Sequence, residues 1–243
     1  MINNMRLLII PDVHLKPYLF NMAESVDPSE YDNIICLGDL FDDWRQQDND
    51  LIYQDIMRTV LDFDKKHPDM LWCWGDHDLS YEWGFTGTEF SYWMMSDVSN
   101  FLNKMKAQVK NRLKVMHRID DVLFSHAGLC YKYILMLFTK EQSPDDMIRK
   151  INSLTDRADR AAKLWDSDSP IRLPLSDNNN MYIKTEENKN FFQVIGHTPV
   201  QQPTVNKNTL MLDTFSTYPD GKPIGDCRLV IFDTETLNWK YCT

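Results

Sequence analysis

The sequence predicts an α/β domain in which buried strands alternate with helices. Short apolar runs recur along the chain, and most of them end in a polar residue beside a turn, as Leu7 to Ile10 does before Asp12. Continuous runs of this length are typical of strands that are buried on both faces. Segments with helical spacing of apolar residues lie between the runs, and this alternation favours a layered architecture.

The apolar runs predict strands at seven places: 7–10, 33–37, 70–74, 122–124, 191–195, 209–212 and 228–232. Helices are predicted at 50–65, 89–111 and 144–165. In the first of these, Ile52, Ile56, Val60 and Phe63 recur three or four residues apart. In the last, Ser143 is suited to cap the amino end.

Composition narrows the class of protein. The 243 residues are 43% hydrophobic and 26% charged, which excludes collagen-like, low-complexity and disordered chains. There is neither an internal repeat nor a linker, so residues 1–243 are predicted to form a single domain. The formal net charge of −10 disfavours nucleic acid and anionic membranes as partners.

The cysteines and the amino terminus predict a cytoplasmic protein. The five cysteines are odd in number, widely spread and without a CxxC pair: Cys36, Cys73, Cys130, Cys227 and Cys242. This usage is typical of reduced, buried thiols. The apolar run that ends at Ile10 is too short for a signal peptide or a membrane span.

Two segments are predicted to determine the choice of substrate, 79–118 and 166–190. The second is polar and is predicted to be a long loop. The stretch 104–118 carries six basic residues, which form either a solvated helix face or a patch that binds a partner. Aromatic residues between Trp72 and Trp93 favour core packing and a lid, with a stacking platform for a nucleobase as the alternative.

Possible metal ligands follow the predicted strands at five turns. These turns are Asp12-Val13-His14, Gly38-Asp39 with Asp42, Gly75-Asp76-His77-Asp78, His126, and Gly196-His197. Ligands of open α/β sheets bind outside the carboxyl ends of the strands, so the five turns can share one crevice. Carboxylates and imidazoles together suit Mn, Fe, Zn or Mg. Four of the six histidines and half of the eight glycines lie in these turns, which makes a chance cluster hard to accept.

At these residues the sequence resembles the calcineurin-like metallophosphoesterase superfamily. The forms His126-Ala127-Gly128 and Gly196-His197-Thr198-Pro199 are most similar to its phosphoprotein-phosphatase branch, and Leu212-Asp213-Thr214 is similar as well. That branch includes bacterial and phage serine/threonine phosphatases and symmetrical dinucleoside-tetraphosphate hydrolases. The resemblance implies a layered β-sandwich flanked by helices, with a dinuclear metal site at the carboxyl ends of the strands.

The resemblance also implies which residues hold two divalent or mixed-valence metal ions, with Mn²⁺ or an Fe/Zn pair expected. One ion would be held by Asp12, His14 and Asp39. The other would be held by Asp39 as the bridge, Asp76, His126 and His197.

The implied reaction is hydrolysis of a phosphomonoester or phosphoanhydride by a hydroxide that the two metals activate. His77 would be the general acid, oriented by Asp42. The implied substrate is phosphorylated, either a phosphoprotein or a nucleotide.

Three departures from the family pattern stand out. Asp76 takes the place of asparagine, which predicts a more charged or harder metal, or a slower enzyme. Asp43-Trp44 takes the place of Arg-Gly, so Arg45 and Arg172 are the candidates to bind phosphate. Leu15 takes the place of glycine. These departures motivate an alternative function, a metal-binding but catalytically weak relative that acts as a binding module.

Overall fold

A computed structural model describes residues 4–138, 143–173 and 190–243. Its strands are β1 (Arg6–Ile10), β2 (Asn33–Cys36), β3 (Leu71–Cys73), β4 (Leu113–Lys114), β5 (Met116–Ile119), β6 (Val122–Ser125), β7 (Phe192–Ile195), β8 (Thr204–Asn206), β9 (Thr209–Met211), β10 (Val230–Asp233) and β11 (Asn238–Tyr241). Its α-helices are α1 (Tyr18–Ser25), α2 (Asp50–Lys66), α3 (Asp76–Trp83), α4 (Met95–Val109), α5 (Tyr131–Leu137), α6 (Pro144–Asn152) and α7 (Ala158–Ala161). Short 3₁₀ turns occupy Pro28–Glu30, Lys110–Arg112 and Ser153–Asp156.

The strands form two sheets. One has six strands in the order β11-β10-β1-β2-β3-β4, and the other has five in the order β5-β6-β7-β9-β8. Strands β1 to β4 pair in parallel, and so do β6, β7 and β9. Parallel neighbours end at the same edge of a sheet, so the segments that follow β1, β2 and β3 are brought side by side, as are those that follow β6 and β7.

The two sheets pack face to face, and the helices cover their outer faces. The side chains of β1 alternate between two apolar layers. Leu7 and Ile9 lie in the layer between the sheets, whereas Leu8 and Ile10 lie in the layer beneath the helices. Phe232 of the six-stranded sheet lies 5.6 Å from Phe192 of the five-stranded sheet, measured between ring centroids. This architecture confirms the predicted α/β sandwich flanked by helices.

All seven predicted strands are present, with ends that differ by at most two residues. Four further strands, β4, β5, β8 and β11, were not predicted. Polar residues interrupt the apolar pattern of β5, where the buried His117 donates from Nε2 to the carbonyl of Trp72 at 2.9 Å. The outer strands β8 and β11 are partly exposed and carry no continuous apolar run.

Two helix predictions need correction. The helix predicted at 89–111 begins only at Met95, since Glu89 has a left-handed backbone with φ of 58°. The helix predicted at 144–165 ends at Asn152, whose side chain exchanges two hydrogen bonds of 2.9 Å with the backbone of Met116. An extended residue, Arg157, then separates the 3₁₀ turn from the short helix α7.

Part of the basic stretch 104–118 forms ion pairs with acidic residues of the same chain. Arg112 donates two hydrogen bonds to the Asp64 carboxylate, at 2.7 and 3.1 Å, and Arg118 pairs with Asp145 at 2.8 Å. Lys106 pairs with Glu82. Half of the six basic residues therefore have acidic partners, which favours the solvated helix face over a partner-binding patch.

The aromatic residues between 72 and 93 divide into two sets. Trp72, Trp74 and Phe90 are buried in the core, whereas Tyr92 and Trp93 are 71% and 81% exposed. Most of the predicted 166–190 loop, residues 174–189, lies outside the described residues.

The thiols differ in part from the prediction that all are buried. Cys36, Cys73 and Cys130 are buried, but Cys227 and Cys242 are partly exposed, and all five are free. Cys242 lies just beyond the partly exposed outer strand β11, which leaves its thiol near solvent. In the part of the chain that the structure describes, no helix has the length and apolar composition that crossing a bilayer requires.

Candidate metal centre

The structure brings the five predicted turns together at one edge of the sandwich. Asp12 and His14 follow β1, Asp39 and Asp42 follow β2, Asp76 and His77 open α3 after β3, His126 follows β6 and His197 follows β7. Backbone hydrogen bonds join adjacent turns, for example from the amide of His14 to the carbonyl of Asp39 at 2.7 Å. The parallel order of the strands is what places residues so distant in sequence side by side.

Glycines make room for the buried carboxylates. A Cβ atom at Gly75 would lie 2.0 Å from Oδ1 of Asp39, and one at Gly196 would lie 1.8 Å from Oδ1 of Asp12. These glycines are needed because a carboxylate occupies the place of their missing side chain. In these turns, non-glycine residues such as Asp39 and His197 adopt the left-handed backbone conformation, with φ of 50° and 59°. Left-handed backbone at such residues is uncommon and clusters at functional sites.

Four side chains form a compact ligand group: Asp39, Asp76, His126 and His197. One possible ligand atom from each lies within 4.8 Å of all the others. Nε2 of His126 is 3.2 Å from Oδ2 of Asp39 and 3.2 Å from Oδ1 of Asp76. Nδ1 of His197 is 3.3 Å from the same Asp76 oxygen. The group coincides with the ligand set that the resemblance implies for the bridged metal.

A second ligand group contains His14, Asp39 and His77, so Asp39 is common to both. Nε2 of His14 lies 3.7 Å from Oδ2 of Asp39, and the rings of His14 and His77 are 5.3 Å apart. Sequence reasoning put Asp12 in this group and His77 outside it. In the structure, Asp12 accepts a hydrogen bond of 2.8 Å from the amide of His197 through Oδ2.

The residues present fit cations. Oδ1 of Asp12 is buried and has no hydrogen-bond partner among the described residues. Oδ1 of Asp76 is buried too, with the imidazole nitrogens of His126 and His197 beside it. A buried carboxylate oxygen without a partner is costly unless a cation or a donor balances it. Three buried or nearly buried carboxylates beside imidazoles are a donor set suited to Mn, Fe or Zn.

The charges at the site are strongly coupled. Burial, with the nearby carboxylates of Asp213 and Asp39, raises the pKa of Asp12 well above its usual range. Burial acts in the same sense on Asp76, but His126 and His197 outweigh it and hold the pKa of Asp76 well below its usual range. The two imidazoles therefore favour the ionised form of Asp76.

Hydrogen bonds to carbonyl groups fix two of the imidazoles. Nδ1 of His14 donates to the carbonyl of Asp42 at 2.8 Å, and Nδ1 of His126 donates to the carbonyl of Leu37 at 3.0 Å. A carbonyl can only accept, so these bonds leave Nε2 of both rings unprotonated in the neutral form. That is the arrangement in which histidines bind metals.

His77 is held by a buried carboxylate. Its Nδ1 lies 2.9 Å from Oδ2 of Asp42, while Oδ1 of Asp42 accepts hydrogen bonds from the hydroxyls of Tyr53 at 2.7 Å and Tyr81 at 2.5 Å. Although burial alone would lower it, the carboxylates of Asp39, Asp42 and Asp76 raise the pKa of His77 to about 10. Sequence reasoning missed both tyrosines. The available signal was Tyr53 on the apolar face of α2, because a buried tyrosine hydroxyl needs a partner.

Asp78 supports the turns from behind. Its carboxylate accepts hydrogen bonds from the amides of Asp39 at 3.0 Å, Leu40 at 2.8 Å and Gly75 at 3.1 Å. It therefore anchors the turn after β2 to the start of α3. Burial, with the adjacent Asp39 carboxylate, raises the pKa of Asp78 to about 7.

The two candidate arginines occupy different places. Nε of Arg172 lies 3.7 Å from Oδ2 of Asp76, its guanidinium stacks 4.3 Å from the ring of Trp165, and Nη1 donates to the Trp165 carbonyl at 2.8 Å. Arg45 is exposed and does not line the cavity at the metal centre. The structure brings only Arg172 to the ligand groups.

A cavity of about 310 Å³ opens at the metal centre. His14, Asp39, His77 and His197 form its floor, and Glu89 lies among its other lining residues. Glu89 is the further residue at the site that sequence reasoning did not single out. None of the aromatic residues between 72 and 93 lines this cavity, so the described structure lends no support to a stacking platform there.

The comparisons with known proteins agree with this geometry. The sequence model of the calcineurin-like phosphoesterase family matches residues 5–223. Two similar solved structures are described as cold-active protein tyrosine phosphatases. One has a TM-score of 0.60 at 16% identity, covering 98% of this chain and 78% of the other. The second, from a psychrophilic Shewanella species, has a TM-score of 0.55 at 15% identity, covering 98% and 80%. At these identities the likeness shows the fold alone, and no curated protein matches the sequence significantly.

Proposed function

Because the chain belongs to the calcineurin-like phosphoesterase family, we propose that it hydrolyses phosphomonoesters or phosphoanhydrides at the site around Asp39. Membership makes it a metallophosphoesterase. The observation that carries the finer proposal is that Asp39 belongs to both ligand groups and lies near Asp12, whose buried Oδ1 has no hydrogen-bond partner among the described residues.

Two divalent cations account for these features together. One would be held by Asp39, Asp76, His126 and His197. The other would be held by His14 and Asp39, with the unpartnered oxygen of Asp12 as a further ligand. A pair of bound cations stabilises the charge that develops on a transferred phosphoryl group.

The chain's own residues supply orientation and a proton. The Asp42 carboxylate, fixed by two tyrosine hydroxyls, holds the His77 ring through Nδ1. Nε2 of His77 is then free to deliver a proton to the oxygen of the leaving group. His77 lines the cavity, so a phosphoester bound there can reach it.

Removal of metal tests the proposed function. We expect the purified protein to hydrolyse 4-nitrophenyl phosphate after loading with Mn²⁺ and to lose this activity after dialysis against EDTA. The melting temperature should fall at the same time, because cations that bind only the folded state stabilise it, and tighter binding stabilises it more. Bis-(4-nitrophenyl) phosphate, measured in parallel, separates monoesterase from diesterase activity. A protein that neither gains stability from Mn²⁺ nor turns over either ester would contradict the proposal.

Replacement of Asp76 by asparagine tests the departure from the family pattern. Compared with asparagine, Asp76 adds one negative charge to the site, and Arg172 balances part of it because its guanidinium lies 3.7 Å from Oδ2 of Asp76. The rest of that charge favours cations. We therefore expect Asp76→Asn to weaken binding of Mn²⁺ by roughly tenfold and to lower activity at limiting metal. Titration of the melting temperature with Mn²⁺ measures the first effect independently of turnover. A large gain in rate would instead favour the alternative function, a catalytically weak relative whose site is damped by Asp76.

A further inference from the structure

Glu89 is a carboxylate in the cavity that lacks a hydrogen-bond donor. Its Oε1 is buried and has no hydrogen-bond partner in the part of the chain that the structure describes. The charge of the His77 ring acts on Glu89, but among the described residues that line the cavity there is neither a lysine nor an arginine. A buried acceptor without a donor is costly, and a donor on a bound ligand would complete it.

The other acidic wall of the cavity is already satisfied. Asp43 accepts hydrogen bonds from Nζ of Lys16 at 2.8 Å and from the hydroxyl of Thr217 at 2.6 Å. Lys16 also donates to the carbonyl of His14 at 3.0 Å, so its ammonium group is bound by Asp43 and by this carbonyl. Asp43 and Lys16 neutralise each other, and Glu89 remains as the carboxylate on the wall that lacks a partner.

The structure holds Glu89 in place through its neighbours. Its backbone has φ of 58°, a conformation that costs energy for a residue with a side chain. The next residue, Phe90, stacks on Tyr81 at 4.4 Å, and the amide of Ser91 donates to the Tyr81 hydroxyl at 2.9 Å. Because Tyr81 also binds Asp42, Glu89 is coupled mechanically to the pair that orients His77.

The remaining walls are suited to a cation. The rings of Trp44 and Tyr218 line the same cavity as Glu89. Aromatic faces attract positively charged nitrogen, and a carboxylate beside them adds a direct ion pair. The volume of about 310 Å³ leaves room for one small organic group or one amino-acid side chain.

We propose that this cavity selects phosphomonoesters whose leaving group carries a positively charged nitrogen, and that the Glu89 carboxylate recognises that nitrogen. The inference deepens the proposed function and rests on it. The nitrogen can belong to an amino alcohol, as in phosphoethanolamine, or to a lysine beside a phosphorylated serine. Both sources present the same group to Glu89.

A matched pair of esters tests the recognition. Phosphoethanolamine and propyl phosphate have the same shape, with an ammonium group in one where a methyl group stands in the other. We expect the Mn²⁺-loaded protein to favour phosphoethanolamine by about tenfold in kcat/KM, the size of a charge-assisted contact. Phosphoserine peptides with lysine or norleucine after the serine form the second pair, which shows whether the nitrogen comes from a peptide.

Two variants assign the preference to Glu89. Glu89→Gln keeps the shape of the side chain and removes its charge. For each discriminated pair, it should bring the ratio of kcat/KM between the charged and the neutral substrate close to one. Glu235→Gln removes a charge from the exposed turn between β10 and β11 and should leave the ratios unchanged. If neither pair is discriminated, or if Glu89→Gln preserves the discrimination, the inference is wrong.

Binding measurements separate this inference from the proposed function. Calorimetry of 3-aminopropylphosphonate and butylphosphonate, which carry a methylene group in place of the ester oxygen, against the Mn²⁺-loaded protein reports recognition without turnover. Failure to hydrolyse 4-nitrophenyl phosphate would overturn the proposed function, while the calorimetric ratio and its dependence on Glu89 would still decide the recognition.

Discussion

Replacing Asp39 with asparagine is expected to lower phosphoester hydrolysis by about 1,000-fold, and to remove most of the stabilisation by Mn²⁺. Asp39 is the one residue common to both ligand groups, so its loss weakens both cation sites at once. Asparagine keeps an oxygen that can accept the 3.0 Å hydrogen bond from the amide of His77. The start of α3 should therefore keep its place, and the largest effect should be on metal binding.

The response of the melting temperature to Mn²⁺ gives the sharper reading. Burial and the Asp76 carboxylate would raise the pKa of Asp39, but His126 and His77 outweigh them and lower it, so the Asp39 charge stabilises the metal-free fold. Removing that charge should lower the melting temperature of the metal-free protein, and the increase on adding Mn²⁺ should disappear. Metal content after dialysis, measured by mass spectrometry, should fall with it.

Asp64→Asn is the matched control for Asp39→Asn. Asp64 is also a buried carboxylate, but it accepts hydrogen bonds from Arg112 and from Nε1 of Trp72 at 2.9 Å, away from the metal centre. This variant should lower the melting temperature and keep the gain on adding Mn²⁺. If both variants lost stability and kept their response to Mn²⁺, Asp39 would be a structural residue and the proposed centre would be wrong.

The places of the five turns could be predicted because the signal, a polar residue directly after an apolar run, is local in the sequence. A polar residue directly after a buried strand must lie at the sheet edge, so the positions of Asp12, Asp39 and His197 follow from the apolar runs before them. Parallel strand order then decides that the turns meet. The five apolar runs that precede the turns therefore predicted both the architecture and the location of the ligand groups.

The features that sequence reasoning missed depend on packing between distant segments. Tyr53 and Tyr81 meet at Asp42 only because α2 and α3, which both pack on α4, are brought to the same turn after β2. The apolar face of α2 marks Tyr53 as buried, but nothing in the sequence names Asp42 as its partner. Glu89 lay inside a pattern typical of a helix, and its left-handed backbone shortened that helix to begin at Met95. The role of His77 likewise depends on distances, since one ring nitrogen lies within 4.8 Å of ligand atoms of His14 and Asp39 while Nδ1 lies 2.9 Å from Asp42.

Replacing His77 with asparagine is expected to have an effect that depends on the leaving group. Phenolate, like the tyrosine side chain with its pKa of about 10, departs readily only as it gains a proton, whereas 4-nitrophenolate is a stable anion. If His77 delivers that proton, hydrolysis of phenyl phosphate should fall by about 1,000-fold and that of 4-nitrophenyl phosphate by far less. His67→Asn, at the carboxyl end of α2, is the control and should change neither rate.

The same variant decides between two roles that the geometry allows for His77. Its Nδ1 is bound to Asp42, as expected of a proton donor, yet its ring also belongs to the group formed with His14 and Asp39. A proton donor can be lost without loss of metal, so His77→Asn should keep the Mn²⁺ content and the metal-dependent gain in melting temperature. Equal losses on both esters together with a lower Mn²⁺ content would show that His77 is a ligand. The proton for the leaving group would then have to come from another group in the cavity.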